Sequence, residues 1–355
     1  MAEQAFGGRA AGPPGRAPGP SGGAARPPLP SPGELLRRRH LLAQNVPLVV
    51  AVALLVAILV IYVVLYLVSI GSFPGAFEAA SITDHAVPLS LAAVGQTVVV
   101  LTRGIDLSVG GMMDMTNALA ALHLHGGLGP EILWTAIIMA IGAAGGALNG
   151  LLVAYGRVQP ILVTLGTLSI FQGMALWILP SPGGHISSAY TGFFLNPGVP
   201  SALIYVVILG LGWSAFRRSR LGVDIYAVGN DEAAARANSV PVLRAKVLAY
   251  VLGGTLTAAA GIALATTTTG GDATGGDVFT LSSIAAAVVG GVSLFGGRGS
   301  AVGAMCGAFV LTVLVDVLFF ANIDPLFQPF YQGLFLVLAV GASTLLGRYL
   351  IRRRR

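Results

Sequence analysis

The length of the apolar runs constrains this chain more than any other feature. Ten such segments follow one another at about 47–68, 86–102, 107–124, 132–155, 160–179, 199–216, 243–267, 278–295, 300–320 and 329–347. Most run to roughly 17 to 25 residues, the length that carries a helix across the hydrocarbon core of a bilayer. Charged residues make up only 10% of the 355, and hydrophobic residues 55%. A water-soluble domain carries about 25% charged residues, so this chain cannot cover a soluble surface. The expected fold class is an all-α membrane protein with ten transmembrane helices. The segments at 86–102, 107–124 and 278–295 are short and contain Pro, Gly, Ser or Thr, which marks them as tilted, broken or partly spanning.

Residues 1–45 differ in kind. They hold eight of the twenty prolines and have almost no large apolar residue before Leu35. Such a stretch cannot bury a core, so a disordered tail is expected over 1–45, with a transmembrane domain over 46–355. The start of the tail lacks the apolar region of a signal peptide. The single cysteine, Cys306, lies in an apolar run and reads as a small packing residue.

The charges set an orientation. With the N-terminus inside and sides alternating, every Lys and Arg falls on the inner side, from the six Arg of the tail to Arg352–Arg355. The outer loops then carry Glu78, Asp84, Glu131, Asp272, Asp277 and Asp324 and no basic residue. This is the positive-inside pattern, and it places both termini in the cytoplasm. The net charge of +6 is therefore an orientation signal rather than a nucleic-acid footprint. The expected surroundings are membrane lipid. A repeat is also expected: Gly142, Gly146 and Gly150 in the fourth segment match Gly299, Gly303 and Gly307 in the ninth. Small residues at this spacing let helices approach closely. Segments five apart have opposite orientations, as in the inverted repeats of transporters.

Four stretches stand out. Arg103–Gly111 reads RGIDLSVGG and looks like a capped helix start at the inner surface. Asn149–Leu176 holds a Gly-rich helix end, a basic turn at Arg157, and Pro160 opening a helix. Within it, Asn149, Thr164, Thr167 and Gln172, together with Asp114, are candidates for lining a solute path. A plainer reading has such hydroxyls bonding to the preceding turn of their own helix. The longest inner loop, 217–242, contains DEAAAR at Asp231–Arg236, a short surface helix with Asn230 as its cap, suited to docking onto a cytoplasmic partner. Finally, Gly290–Gly299 reads GGVSLFGGRG. It is no P-loop, because Lys246 is the only lysine and follows Ala245. Any ATP hydrolysis then belongs to a partner, and no cofactor is expected in this chain. No nucleophile–base or metal set is apparent among the five histidines and the lone cysteine.

Together GIDLSVG, NGLLVA with VTLGTLSIFQG, LGVDIYAVGN with EAA, and AAAVVGGVSLFGGRGS resemble the ribose/xylose/arabinose-type permease family of bacterial ABC importers over roughly residues 47–347. The resemblance implies a ten-helix subunit of the cobalamin-importer-like (type II) architecture in the bacterial inner membrane. It implies a second permease subunit, a cytoplasmic ABC ATPase that consumes the ATP, and a periplasmic or lipid-anchored sugar-binding protein. It places Gly229, Asn230, Asp231, Glu232 and Arg236 at the ATPase contact. The sequence departs from the family pattern with Arg103 at a usual Gly, Gln172 at a common Arg, and one extra residue near Asn238–Ser239. Two other readings of the chain are an ABC permease for branched-chain amino acids or nucleosides, and an ion-coupled secondary transporter.

Overall fold

A computed structural model describes residues 32–195, 201–328, 330–338 and 341. The chain divides into two compact units, Met1–Ala43 and Gln44–Arg355. The expected disorder of residues 1–31 lies outside the described residues. From Pro32 onward the chain is helical, so the last residues of the expected tail enter α1. The reason is local: proline suits the first helical position, and ELLRRRHLLAQ after it is a run of good helix formers.

Among the described residues the regular structure is helical throughout; a single bridge, Gly183 with Gly271, is the only strand-like pairing. The helices are α1 (Pro32–Ile70), α2 (Ala76–Leu101), α3 (Val109–His123), α4 (Leu128–Ala154), α5 (Pro160–Ile178), α6 (Ser188–Phe194), α7 (Ala202–Arg218), α8 (Arg220–Asn230), α9 (Glu232–Ala237), α10 (Val242–Thr268), α11 (Asp277–Val289) and α12 (Ala301–Phe320). Residues 330–338 are also helical. Six of these helices, among the described residues, are long and apolar enough to cross a membrane: α1 from Pro47, α2, α4, α5, α10 and α12. A seventh is counted if α7 and α8, bent by 74° at Ser219, form one span. The protein is a multi-pass helical membrane protein. At 15 and 13 residues, α3 and α11 are only about 22 and 20 Å long, too short to cross alone.

One expected boundary moves. Glu78 and Asp84, assigned to an outer loop, lie inside α2, which begins ten residues before the apolar segment. Glu78 holds this extension: it accepts from the Gly75 backbone N–H at 2.7 Å and from the Tyr66 hydroxyl at 2.6 Å. Pro88 therefore sits within the helix rather than at its start. Membrane helices tolerate such prolines, because neighbouring groups satisfy the freed carbonyl.

The centre of the bundle is α2 against α10. They approach so closely at Gly95 that a β-carbon there would lie 3.0 Å from the Gly253 carbonyl oxygen. Alongside, α4 lays Gly142, Gly146 and Gly150 on α10, where any β-carbon would meet the backbone of Gly254, Tyr250 and Val247. That glycine ladder is a packing seam. Its proposed counterpart is only partly helical. Gly303 and Gly307 of α12 fit against the Gly290 and Ala286 carbonyls, but Gly299 precedes the helix in a loop.

Candidate functional site

At one end of the bundle, three segments distant in sequence close on a single residue. Gly229, in the last turn of α8, is buried between the end of α2 and the Gly-rich loop joining α11 to α12. A β-carbon on Gly229 would overlap the Leu101 carbonyl oxygen and lie 2.5 Å from the Gly297 nitrogen. The same loop is hydrogen-bonded to α2 through Gly297 N–H and Leu101 O, 3.0 Å. Arg103 locks the third side: its Nε donates to Gly229 O at 2.8 Å, and its guanidinium donates to Asn230 O at 2.7 Å. These are carbonyls that the end of α8 leaves free. Arg103 adopts a left-handed φ of 67°, a conformation glycine takes without strain and other residues at a cost of about 1 kcal/mol. Here the two charge-assisted bonds offset that strain.

The 217–242 segment holds more structure than a loop with one short helix. Its first half is α8, capped by Ser219, whose hydroxyl accepts from Gly222 N–H at 3.1 Å. Asn230 ends α8, so the cap of α9 is Asp231, not Asn230 as the sequence suggested. Asp231 Oδ1 accepts from Ala233 and Ala234 N–H at 2.9 and 3.0 Å. Only the extended backbone of residue 231 lets a side chain reach back to those donors. These bonds hold the exposed carboxyl below its ordinary range. Glu232 faces inward and accepts from Lys246 of α10 at 2.7 Å and from Arg236 at 3.1 Å. The Lys246 bond, foremost, depresses its carboxyl as well. The outward face of α9 is instead Ala233, Ala234, Arg236 and Ala237.

A second constellation lies where the short helices begin. Residues 102–114 and 268–280 read TRGIDLSVGGMMD and TTGGDATGGDVFT. Both stretches start with a left-handed residue, Arg103 and Thr269. Both then fold an aspartate turn: Asp106 Oδ1 accepts from Ser108 N–H and hydroxyl at 2.9 and 2.6 Å, and Asp272 Oδ1 from Thr274 N–H and hydroxyl at 2.9 and 2.8 Å. The two helices then cap one another. Gly110 N–H of α3 donates to Thr280 Oγ1 of α11 at 3.1 Å, and Gly276 N–H, preceding α11, donates to Asp114 Oδ1 of α3 at 2.5 Å. Each residue stands 166 positions from its counterpart.

This arrangement gives four of the five expected path residues internal partners. Asn149 donates to the Ser108 hydroxyl at 2.9 Å, and Thr164 donates to Pro160 O and approaches Ile105 O at 3.4 Å, so both hold the first aspartate turn. Thr167 bonds back to Val163 O at 3.2 Å, the plainer reading of a helical hydroxyl. Asp114 is fully buried. Gln172 alone is half-buried with polar contacts toward the surface; its amide donates to both carboxylate oxygens of exposed Asp277, at 2.9 and 3.1 Å. Asp106, expected at a surface, is buried beside Gln96, whose amide pairs with both backbone groups of Asp106 at 3.0 and 3.3 Å. Among the described residues no three His, Cys, Asp or Glu side chains gather as a metal site.

Sequence comparison adds a family and relatives. A family model described as "Branched-chain amino acid transport system / permease component" matches residues 79–340. The ribose import permease protein RbsC of Haemophilus influenzae is 32% identical over 269 residues, 73% of this chain and 82% of that protein. Its namesake from Escherichia coli K12 is 34% identical over 261 residues, 71% and 80% of the two chains. The autoinducer 2 import system permease protein LsrC of an Enterobacter species is 36% identical over 275 residues, 75% and 79%. No solved structure matches the chain.

Proposed function

We propose that this chain, which belongs to the family of branched-chain amino acid transport system permease components, is the membrane-spanning subunit of an ABC importer for a simple sugar. The observation that carries the reading is the set of ribose import permeases that match over more than two thirds of both chains. The four motifs that prompted it from the sequence lie within the same matched region. Transport is driven by ATP hydrolysed on a partner ATPase, with a binding protein delivering the solute from outside and a second permease subunit completing the path. This chain holds no cofactor. The subunit takes the ten-segment type II arrangement in the inner membrane, α3 and α11 crossing only together with the aspartate turns that lead into them, with both termini in the cytoplasm. The mutual capping of α3 and α11 and the 166-residue offset support an inverted repeat about the α2–α10 contact.

Within this reading the α8–α9 end meets the ATPase. Gly229, Asn230 and Asp231 shape the junction, Glu232 ties α9 to α10, and Arg236 with Ala233 and Ala237 forms the outward face. The Gln172–Asp277 pair offers donors and acceptors to sugar hydroxyls on the path, with Asp114, Asn149, Thr164 and Thr167 positioning the elements behind it.

The test is uptake by proteoliposomes holding the complete transporter, with binding protein, ATP and radiolabelled ribose, autoinducer 2 or leucine. ATP-dependent accumulation of ribose is expected. Accumulation of leucine alone would overturn the sugar reading; autoinducer 2 alone would move it to the second class of relative. For orientation, cysteines at exposed Ser188 and Thr269 should react with an impermeant thiol reagent on intact cells, and one at exposed Ser219 only after lysis. Reaction of the Ser219→Cys variant in intact cells reverses the orientation.

Docking has its own readout. Ala233→Arg, on the outward face of α9, should leave membrane insertion unchanged and cut transport-stimulated ATP hydrolysis at least fivefold. Parental hydrolysis in a normally inserted variant would remove α9 from the interface. Glu232 adds a pH dependence. Because its folded pKa is depressed, its contribution is present above the ordinary carboxylate value of about 4.3 and is lost as pH falls through the lower folded value. Proteolysis around α9 should therefore accelerate only below about pH 4, and Glu232→Gln should show the fast rate at neutral pH.

A further inference from the structure

Beside α9 the protein surface opens into a cleft of about 680 Å³, between the α4–α5 turn and the first turns of α10. Its ionisable lining is strongly one-sided: Arg103, Arg157, Arg236 and Lys246 against the single acid Glu232. Glu232 is already engaged by Lys246 and Arg236, each of which keeps further N–H groups for another acceptor. Arg157 is different. It sits in the exposed α4–α5 turn with a left-handed φ of 55°, and among the described residues its guanidinium has no hydrogen-bond or ion-pair partner. Net positive charge is thus concentrated in a concave site, where an anion gains most from it.

Tyr250, which also lines this cleft, is completely buried, and its hydroxyl has no hydrogen-bond partner among the described residues. A buried hydroxyl without a partner is destabilising, and the loss is recovered when a ligand oxygen reaches it. Buried Gly104 stands directly against this hydroxyl, and a β-carbon there would lie 2.7 Å from it. Gln159 and Pro160 also line the cleft, so the positive dipole end of the 19-residue α5 lies on the same side.

We propose that this cleft binds a phosphate group, with Arg157 and Lys246 holding the charge and Tyr250 donating to one oxygen. Guanidinium and ammonium only donate and the phenol can donate, a set suited to a tetrahedral oxyanion. Two sources share that chemistry: the headgroup of an anionic lipid in the leaflet that the orientation above makes cytoplasmic, and a soluble phosphate. Exposed Tyr155 and Val158 next to Arg157 give a lipid an apolar shoulder to lie against. The proposal is independent of which solute the transporter carries.

The test uses the purified full-length chain in detergent, stripped of lipid. Binding of dioctanoyl phosphatidylglycerol, inorganic phosphate and, as a phosphate-free control, dioctanoylglycerol is measured by titration. Phosphatidylglycerol should bind at least tenfold more tightly than dioctanoylglycerol, and Arg157→Gln and Tyr250→Phe should each weaken it at least fivefold. Arg157 is exposed and Tyr250→Phe keeps the ring, so neither change removes packing; thermal midpoints within a degree or two of the parent confirm it. Competition by millimolar phosphate assigns the site to soluble phosphates; lack of competition assigns it to the lipid. Equal binding of dioctanoylglycerol and phosphatidylglycerol, unaltered binding in both variants, or binding only of a hexaglutamate peptide overturns the proposal.

Discussion

Gly229→Ala should abolish transport even where some protein still inserts. The added methyl collides with the Leu101 carbonyl oxygen and crowds the Gly297 nitrogen, and both are backbone atoms that cannot rotate away. Relief requires α8 to withdraw from the end of α2 or the Gly-rich loop to shift. Either movement stretches the bond from Gly297 N–H to Leu101 O and the two Arg103 bonds to Gly229 and Asn230. Overpacking a close-packed site costs typically 1–3 kcal/mol, occasionally more, and here three elements share one point. The expected result is a large drop in detergent-solubilised, folded protein, and at least a tenfold loss of uptake per molecule in what remains. Gly212→Ala is the control. It lies on exposed α7 with nothing within 4 Å of the added carbon, where alanine in place of glycine stabilises a helix by roughly 0.5–1 kcal/mol. Parental uptake by Gly229→Ala would show that the junction does not transmit force from α8 and α9 to the membrane helices.

That junction was only half legible in the sequence. LGVDIYAVGN and EAA mark the segment. What joins it to the rest was hidden, because Leu101, Arg103, Gly229 and Gly297 meet from three separate stretches, and periodicity reports only on neighbours along the chain. Arg103 was noticed as a departure from a usual glycine; its left-handed backbone explains the glycine, and its bonds to α8 explain the arginine. The helix count was legible for long uniform runs such as α1, α4 and α10. The short segments at 107–124 and 278–295, marked by their Gly, Ser and Thr as tilted, broken or partly spanning, become α3 and α11, 15 and 13 residues long. The pairing of Glu232 with Lys246, fourteen residues on, is not legible in the sequence, because it needs the turn between α9 and α10 to bring them together. The polar residues Asn149, Thr164 and Asp114 were read as path-lining because a polar group in a membrane segment demands a reason. Each of the three also has an internal partner. They hold the two aspartate turns and the short helices that follow. The signal that would have found this was present as TRGIDLSVGG and TTGGDATGGD, 166 residues apart.

Asp114→Ala tests that internal role directly. Asp114 Oδ1 is the acceptor for Gly276 N–H, at the point where α11 begins. Removing it leaves a buried N–H with no partner, a loss of about 1–3 kcal/mol, and opens a void where the carboxyl stood in a fully buried site. Asp277 lies beside Asp114 and is held on its other side by Gln172, so the loss spreads to the exposed Gln172–Asp277 pair. Asp114→Ala should therefore lower the thermal midpoint by several degrees and reduce uptake at least tenfold. Asp114→Asn separates capping from charge. Its carbonyl oxygen can still accept from Gly276 N–H, and its amide places no buried charge beside Asp277. Its midpoint should equal or exceed the parent's, with uptake within about twofold. A group that must carry charge or a proton during transport gives the opposite pattern: Asp114→Asn as stable as the parent and as inactive as Asp114→Ala. Thr280→Val, which removes the reciprocal acceptor for Gly110 N–H, should reproduce the destabilisation of Asp114→Ala at smaller amplitude, because a hydroxyl forms the weaker cap. If Asp114→Asn loses uptake while Thr280→Val is silent, the mutual cap is not what Asp114 is for.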